Sequence, residues 1–156
     1  MEYGLIGEHL PHSFSPEIHK RIGDYKYEIK ELKPSEVGEF LEKRDFKGIN
    51  VTIPYKQTVI PYLDEIDEAA KEIGAVNTIV NRGGKLFGYN TDYFGFEYML
   101  SLLCADVSGK KALILGRGGA ALTVRAVLAD KGAREVVMLG STDNTPENLK
   151  NTVTPR

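Results

Sequence analysis

The stretch "GINVTIPYK" (48–56) alternates Ile49, Val51 and Ile53 with Asn50 and Thr52, then follows Pro54 with Lys56. Period-2 alternation is the signature of a half-buried strand. A polar Thr52 at its carboxyl end lies where open α/β sheets bind their ligands. The sequence predicts a helical stretch from Pro54, which would carry Lys56 on its first turn, back toward the same edge. A cation there opposes the helix dipole, and a partly buried lysine can act as a base. The plain alternative is a surface lysine.

Other segments carry residue types suited to the same chemistry. In "HSFSP" (12–16), Ser13 and Ser15 lie on a loop that opens a helix. Two hydroxyls and the orphan N–H groups of a helix start make a carboxylate cradle. Alternatively, Ser15 is only an N-cap and Ser13 a solvated loop residue. Asn77 interrupts the apolar strand "AVNTIV", where a polar side chain either bonds within the fold or faces a ligand. "GYNTD" (88–92) ends on Asn90, Thr91 and Asp92 just before an apolar helix, so one of them has reason to cap it. "GRGGAA" (116–121) follows an apolar strand and opens a helix. In that context Gly116 makes the tight turn and Gly118 lets backbone approach a pyrophosphate. Gly119 and Ala120 then offer N–H groups at the helix start. His9, His12 and His19 have no metal-ligand pattern, so no metal is expected.

Elements must hold these residues in place. Strands are predicted at 3–7, 25–32 and 47–53, and a hairpin over 75–90 turns at Gly83-Gly84. Helices are predicted from Ser15-Pro16 to Gly23, from Pro34-Ser35 through Leu41, and from Pro54 to Gly74 with a break at Pro61. A long apolar helix follows at 92–105, then strand, glycine turn, helix and strand through 139, which is one βαβ unit. The expected class is α/β. An N-terminal α/β substrate-binding domain with a mostly parallel sheet (1–105) precedes a partial Rossmann-like nucleotide-binding unit (106–156). Two strands and one helix do not cover both faces of a sheet, and "GSTDNTPENLKNTVTPR" adds only polar, weakly patterned sequence. Exposed apolar positions at Leu122, Val124, Val127 and Leu128 would then drive association, so a homo-oligomer is expected.

Bulk properties set limits. The 156 residues suit one ordinary domain or two small ones, and 42% apolar residues suffice for a core. Twenty basic residues against 22 acidic ones leave a net charge of -2, so a nucleic-acid partner is not expected. No secretory signal or membrane-length apolar run is evident, and Cys104 is the single cysteine. A soluble, cytoplasmic protein acting on a small molecule is the expectation.

Taken together, "GEHLPHSFSPEIH", "GINVTIPYK", "GAVNTIV", "GYNTD" and "LILGRGGAA" resemble, in order, the motifs of shikimate dehydrogenases over residues 3–139. The resemblance implies an NADP-dependent oxidoreductase that interconverts 3-dehydroshikimate and shikimate on the route to chorismate and aromatic amino acids. It implies that Ser13 and Ser15 hold the substrate carboxylate and that Thr52, Asn77 and Thr91 add substrate contacts. Lys56 and Asp92 would be the catalytic pair, and Gly116, Gly118, Gly119 and Ala120 the cofactor turn. Two departures stand out. Where the family's second nucleotide strand usually ends in N-R-T, this chain has Gly140-Ser141-Thr142, with Asp143 following. The family's remaining nucleotide domain and returning substrate segment have no counterpart here. Arg117, inside the glycine turn, is an unusual cation near the phosphates. Two other readings therefore stay open: a non-catalytic shikimate-binding module, and a quinate/shikimate dehydrogenase paralogue.

Overall fold

"YGLIG" buries four of its five residues and forms the first strand, β1 (Tyr3–Gly7), of a computed structural model that describes residues 1–140. The chain folds as two compact units, Met1–Asn90 and Thr91–Arg156. In the first unit β1 is followed by α1 (Ser15–Ile22), β2 (Tyr27–Glu31), α2 (Val37–Glu42) and β3 (Gly48–Val51). Then come β4 (Glu65–Ile66), α3 (Glu68–Ile73), β5 (Thr78–Arg82) and β6 (Lys85–Tyr89). The strands form one six-stranded sheet in the order β2-β1-β3-β5-β6-β4. Three pairings are parallel (β1–β2, β1–β3, β4–β6) and two are antiparallel (β3–β5, β5–β6).

Strand alternation sends two sets of side chains to opposite faces. Ile6, Ile49, Val51, Ile79 and Leu86 are at most 2% exposed and pack under Val37 and Leu41 of α2 and Ala70 of α3. The other face carries Tyr27, Asn50 and Thr78, where Asn50 and Thr78 are direct partners across β3–β5. The Gly83-Gly84 turn has φ of 60° and 85°, conformations that favour glycine in a two-residue hairpin. Asp67 caps α3 by accepting from the N–H groups of Ala69 and Ala70, and Gly74 ends it at φ 72°.

Two expectations about elements are corrected. No regular helix follows Pro54: Thr52 through Leu63 is a series of tight turns ending in a 3-10 turn at Ile60–Tyr62. Its bonds mix i→i+3 closures, such as Tyr55 N–H to Thr52 O at 2.9 Å, with a single i→i+4 closure from Val59 to Tyr55 at 3.1 Å. Burial of Tyr55 and Val59, and the lack of an N–H on Pro61, favour that irregular path over a continued helix. The second correction concerns residues 64–67, expected to be helical. Glu65–Ile66 instead pairs with β6 as a short edge strand, and the helix waits for its Asp67 cap.

In the second unit α4 (Asp92–Leu102) leads to β7 (Lys111–Leu115), α5 (Gly119–Asp130) and β8 (Glu135–Leu139). β7 and β8 pair in parallel, in the expected βαβ order. The compact division falls ahead of α4 because α4 packs on α5. The Tyr93 hydroxyl donates to Asp130 Oδ2 (2.7 Å), and Lys131 pairs with Glu97 (2.5 Å). Val127 and Leu128, expected to be exposed, are buried in this unit at 0% and 7%. Exposed apolar surface lies instead on α4, at Phe94, Tyr98, Met99 and Leu102, and at Leu103 just beyond it. Ser141, Thr142 and Asp143, noted above as a departure from the N-R-T motif, lie outside the described residues. Among the described residues no helix is long and apolar enough to cross a membrane.

Candidate active site

The loop after β1, the turn after β3, the residue before β5 and the residue after β6 meet at one edge of the first sheet. Thr52 follows β3 directly, and its N–H donates to Ile6 O (3.0 Å), which holds it beside the end of β1. Gly7 makes that approach possible. A Cβ there would stand 2.8 Å from both Thr52 Cγ2 and Leu10 Cδ2, so any larger residue would push Thr52 away. Because β5 runs antiparallel to β3, Asn77 arrives at the same edge, and its carbonyl accepts the Val51 N–H (2.8 Å). The carbonyl of Lys56 in turn accepts the Val76 N–H (2.7 Å), fixing the Lys56 turn against the start of β5. Asn90, buried at 3%, ends the β6 side of this edge and donates from Nδ2 to Ala75 O (2.9 Å).

The serine loop is tied to this frame. The Leu10 N–H donates to Glu31 Oε1 (2.6 Å) and the Leu32 N–H to Gly7 O (2.9 Å). Ser15 is the first residue of α1 and not its cap. Phe14 holds the cap position, while Ser13 Oγ accepts the Ser15 N–H at 3.2 Å. The two hydroxyls are thus half-buried neighbours on one tight turn, joined through Ser15's own backbone. Thr52 and Lys56 are also half-buried, and Asn77 is 7% exposed. In the first unit Thr52, Asn77 and the Lys56 turn are thus held at one sheet edge by backbone bonds, and Ser13 and Ser15 lie on the loop that follows β1. Thr91 and Asp92 follow Asn90 directly in the chain and begin the second unit as the N-cap and first residue of α4. Thr91 makes no side-chain cap bond, although a capping role was one reading of this segment.

Sequence reading passed over three polar residues next to this edge. Tyr27, Asn50 and Thr78 line a cavity of about 750 Å³ on the open face of the sheet. The cavity adjoins the predicted residues but is lined by none of them. Alternation of Asn50 with Ile49 and Val51 was the one available signal, because it places a polar side chain on the face opposite the core.

In the second unit, Gly116 has φ 148°, a conformation that favours glycine, and its N–H donates to Leu139 O (2.7 Å). Gly118 is the N-cap of α5, and a Cβ added there would meet nothing within 4 Å. Gly119 and Ala120 open the helix, where the first N–H groups have no intrahelical acceptor. A glycine turn with open space over a twelve-residue helix start suits an anion.

Residues 5–79 match the family model of the shikimate dehydrogenase substrate binding domain. A shikimate dehydrogenase (NADP(+)) of Halothermothrix orenii is 53% identical over 148 residues, covering 89% of this chain and 51% of that protein. The crystal structure of shikimate dehydrogenase 1 from Peptoclostridium difficile has a TM-score of 0.82 at 41% identity, covering 88% of this chain and 54% of the other. The Thermus thermophilus enzyme, solved in complex with NADP(H) and shikimate, has a TM-score of 0.80 at 31% identity and covers 97% of this chain and 60% of the other. The chain is thus similar to shikimate dehydrogenases along most of its length, matches their substrate binding domain over residues 5–79, and spans about half the length of the curated relatives it matches.

Proposed function

We propose that this chain binds shikimate and NADP and interconverts shikimate and 3-dehydroshikimate, with Lys56 and Asp92 as the proton-transfer pair. The observation that supports the reading is the backbone hydrogen bonding that holds Thr52, Asn77 and the Lys56 turn at the carboxyl edge of β1 and β3, with Ser13 and Ser15 on the loop that follows β1. Ser13 and Ser15 hold the carboxylate, while Thr52 and Asn77 hold ring hydroxyls at the other end of a small polar acid. A further substrate contact from Thr91 is part of the same proposal. When the alcohol is oxidised, the Lys56 amine takes the hydroxyl proton and the Asp92 carboxylate orients that amine; the reverse reaction returns the proton. NADP supplies the two-electron acceptor. Gly116, Gly118, Gly119 and Ala120 would hold its pyrophosphate, a role that the conformation of Gly116 and the space over Gly118 fit.

On this reading residues 1–105 serve the substrate and 106–156 the cofactor, in a cytoplasmic protein. The exposed apolar side chains of α4 support association with a second copy, to be tested by equilibrium sedimentation. The functional test is calorimetric titration with shikimate and, separately, with NADP. Binding of both is expected, and Lys56→Ala should abolish turnover while sparing most shikimate affinity. Shikimate binding without NADP binding would instead favour a binding module, a reading supported by the two-strand sheet described in the second unit. Wild-type turnover in Lys56→Ala would remove Lys56 from the catalytic role.

A further inference from the structure

Asn77 is held on its carbonyl side by its own neighbour in the chain. The Thr78 hydroxyl donates to Asn77 Oδ1 at 3.0 Å, and Thr78 Oγ1 in turn accepts from Asn50 Nδ2 at 3.2 Å. Asn50 and Thr78 are register partners across β3–β5, so the sheet itself brings them together. Asn50 Oδ1 accepts from the Tyr27 hydroxyl at 2.6 Å, a bond that reaches across β1. Each of these three bonds orders the next. A hydroxyl has one hydrogen to give, and an amide has one acceptor end and one donor end. With the Tyr27 hydrogen on Oδ1, Asn50 offers Thr78 an N–H, and the Thr78 hydrogen goes to Asn77.

The surroundings keep this order. The His19 ring stacks on Tyr27 with centroids 3.7 Å apart and planes 11° from parallel. Burial pushes the Tyr27 phenol up to about 12, so it remains a protonated donor at neutral pH. Thr78 is β-branched and opens β5, and branching at Cβ restricts its χ1. Asn77 is 7% exposed. Turning its amide over would take away the acceptor of the Thr78 hydrogen, which is costly in a buried place.

We infer that Thr78 is a positioning residue of the substrate site: by holding Asn77 at its carbonyl, it makes the amide meet a substrate ring oxygen with its N–H end, in a direction set by Asn50 and Tyr27. This inference rests on the functional reading above and adds a chemical requirement to it. At Asn77 the ligand must bring an acceptor. An alcohol oxygen and a ketone oxygen both accept from an N–H, so the contact serves either side of the interconversion. A carbonyl presented in its place would bond to the hydroxyl form alone.

The test uses the 156-residue chain with shikimate as the probe. In calorimetry Thr78→Val should bind shikimate about tenfold more weakly, while Thr78→Ser, which keeps the hydroxyl, restores affinity. In an Asn77→Ala background the same Thr78→Val change should have no further effect, because it acts only through Asn77. In the ligand-free protein, NMR of the Asn77 side-chain amide should show its resonances moving in Tyr27→Phe, although the two residues share no direct bond. Wild-type affinity in Thr78→Val, no restoration by Thr78→Ser, an equal loss in the Asn77→Ala background, or unmoved Asn77 resonances would each overturn the inference. Should Thr78→Val fail to fold, the Asn77 resonances in Tyr27→Phe decide alone. A wild-type chain that does not bind shikimate overturns the functional reading and this inference with it. Wild-type binding that Thr78→Val leaves unchanged overturns only the inference.

Discussion

Helices α2 and α4 are both rich in apolar residues, but they meet different fates. The six-residue α2 buries Val37 and Leu41 to 1% and 0% exposure, while the eleven-residue α4 buries none of its residues. In α2 the apolar residues lie on one side and face a sheet of six strands. In α4 apolar residues run round most of the helix, from Phe94 and Phe96 through Tyr98, Met99, Leu100 and Leu102. The described part of its unit has a sheet of only two strands. Burial needs a matching surface as well as apolar side chains, and in the described residues the first unit has more of it.

The comparison is broken or sharpened most directly by truncating one side chain on each helix. Leu41→Ala should cost about 2–5 kcal/mol in urea denaturation, through lost burial and the cavity left behind. Leu102→Ala, 64% exposed, should stay within about 0.5 kcal/mol. Equal costs would mean that α4 is covered in solution. A smaller loss is expected from Tyr55→Phe. The Tyr55 hydroxyl donates to Leu32 O beneath the Lys56 turn, and losing that bond should cost about 1 kcal/mol in the same assay.

Two tyrosines sharpen the contrast through pH. Tyr27 is pushed up to about 12 chiefly by burial, and Tyr93 to about 12 chiefly by its bond to Asp130. A phenol whose pKa is raised on folding stabilises the protein fully below the unfolded value of about 10, and that contribution fades as pH climbs toward about 12. Tyr93→Phe should remove part of this alkaline loss, and added salt should mimic that removal for Tyr93 more than for Tyr27. The Asp64 effect should be the smallest. The Leu86 N–H, and then Arg44, hold its carboxyl below the ordinary range. Its stabilisation is present above about pH 3.9 and lost as pH falls through the lower folded value, so Asp64→Asn should flatten that acid limb in a pH series of urea midpoints.

Much of this was legible in the chain because local rules decide it. The Gly83-Gly84 hairpin, the Gly74 helix stop and the strand–glycine–helix order at 111–130 each follow from backbone chemistry within a few residues. The turns after Pro54 and the strand at Glu65–Ile66 were not legible, because buried Tyr55 and the partner strand β6 decide them from a distance. The site divides in the same way. Ser13, Ser15, Thr52, Lys56, Asn77 and Asp92 could be singled out by residue type and motif. Nothing in their spacing says that β5 runs antiparallel to β3, and that pairing is what carries Asn77 to the side of Val51 and Thr52. The link from Tyr27 to Asn77 spans fifty positions of chain and exists only because β1, β2, β3 and β5 lie side by side in one sheet. By itself the sequence determined which residue types and which local elements the protein has. Tertiary structure alone decided which of them meet, because strand direction and register are set by long-range pairing and burial.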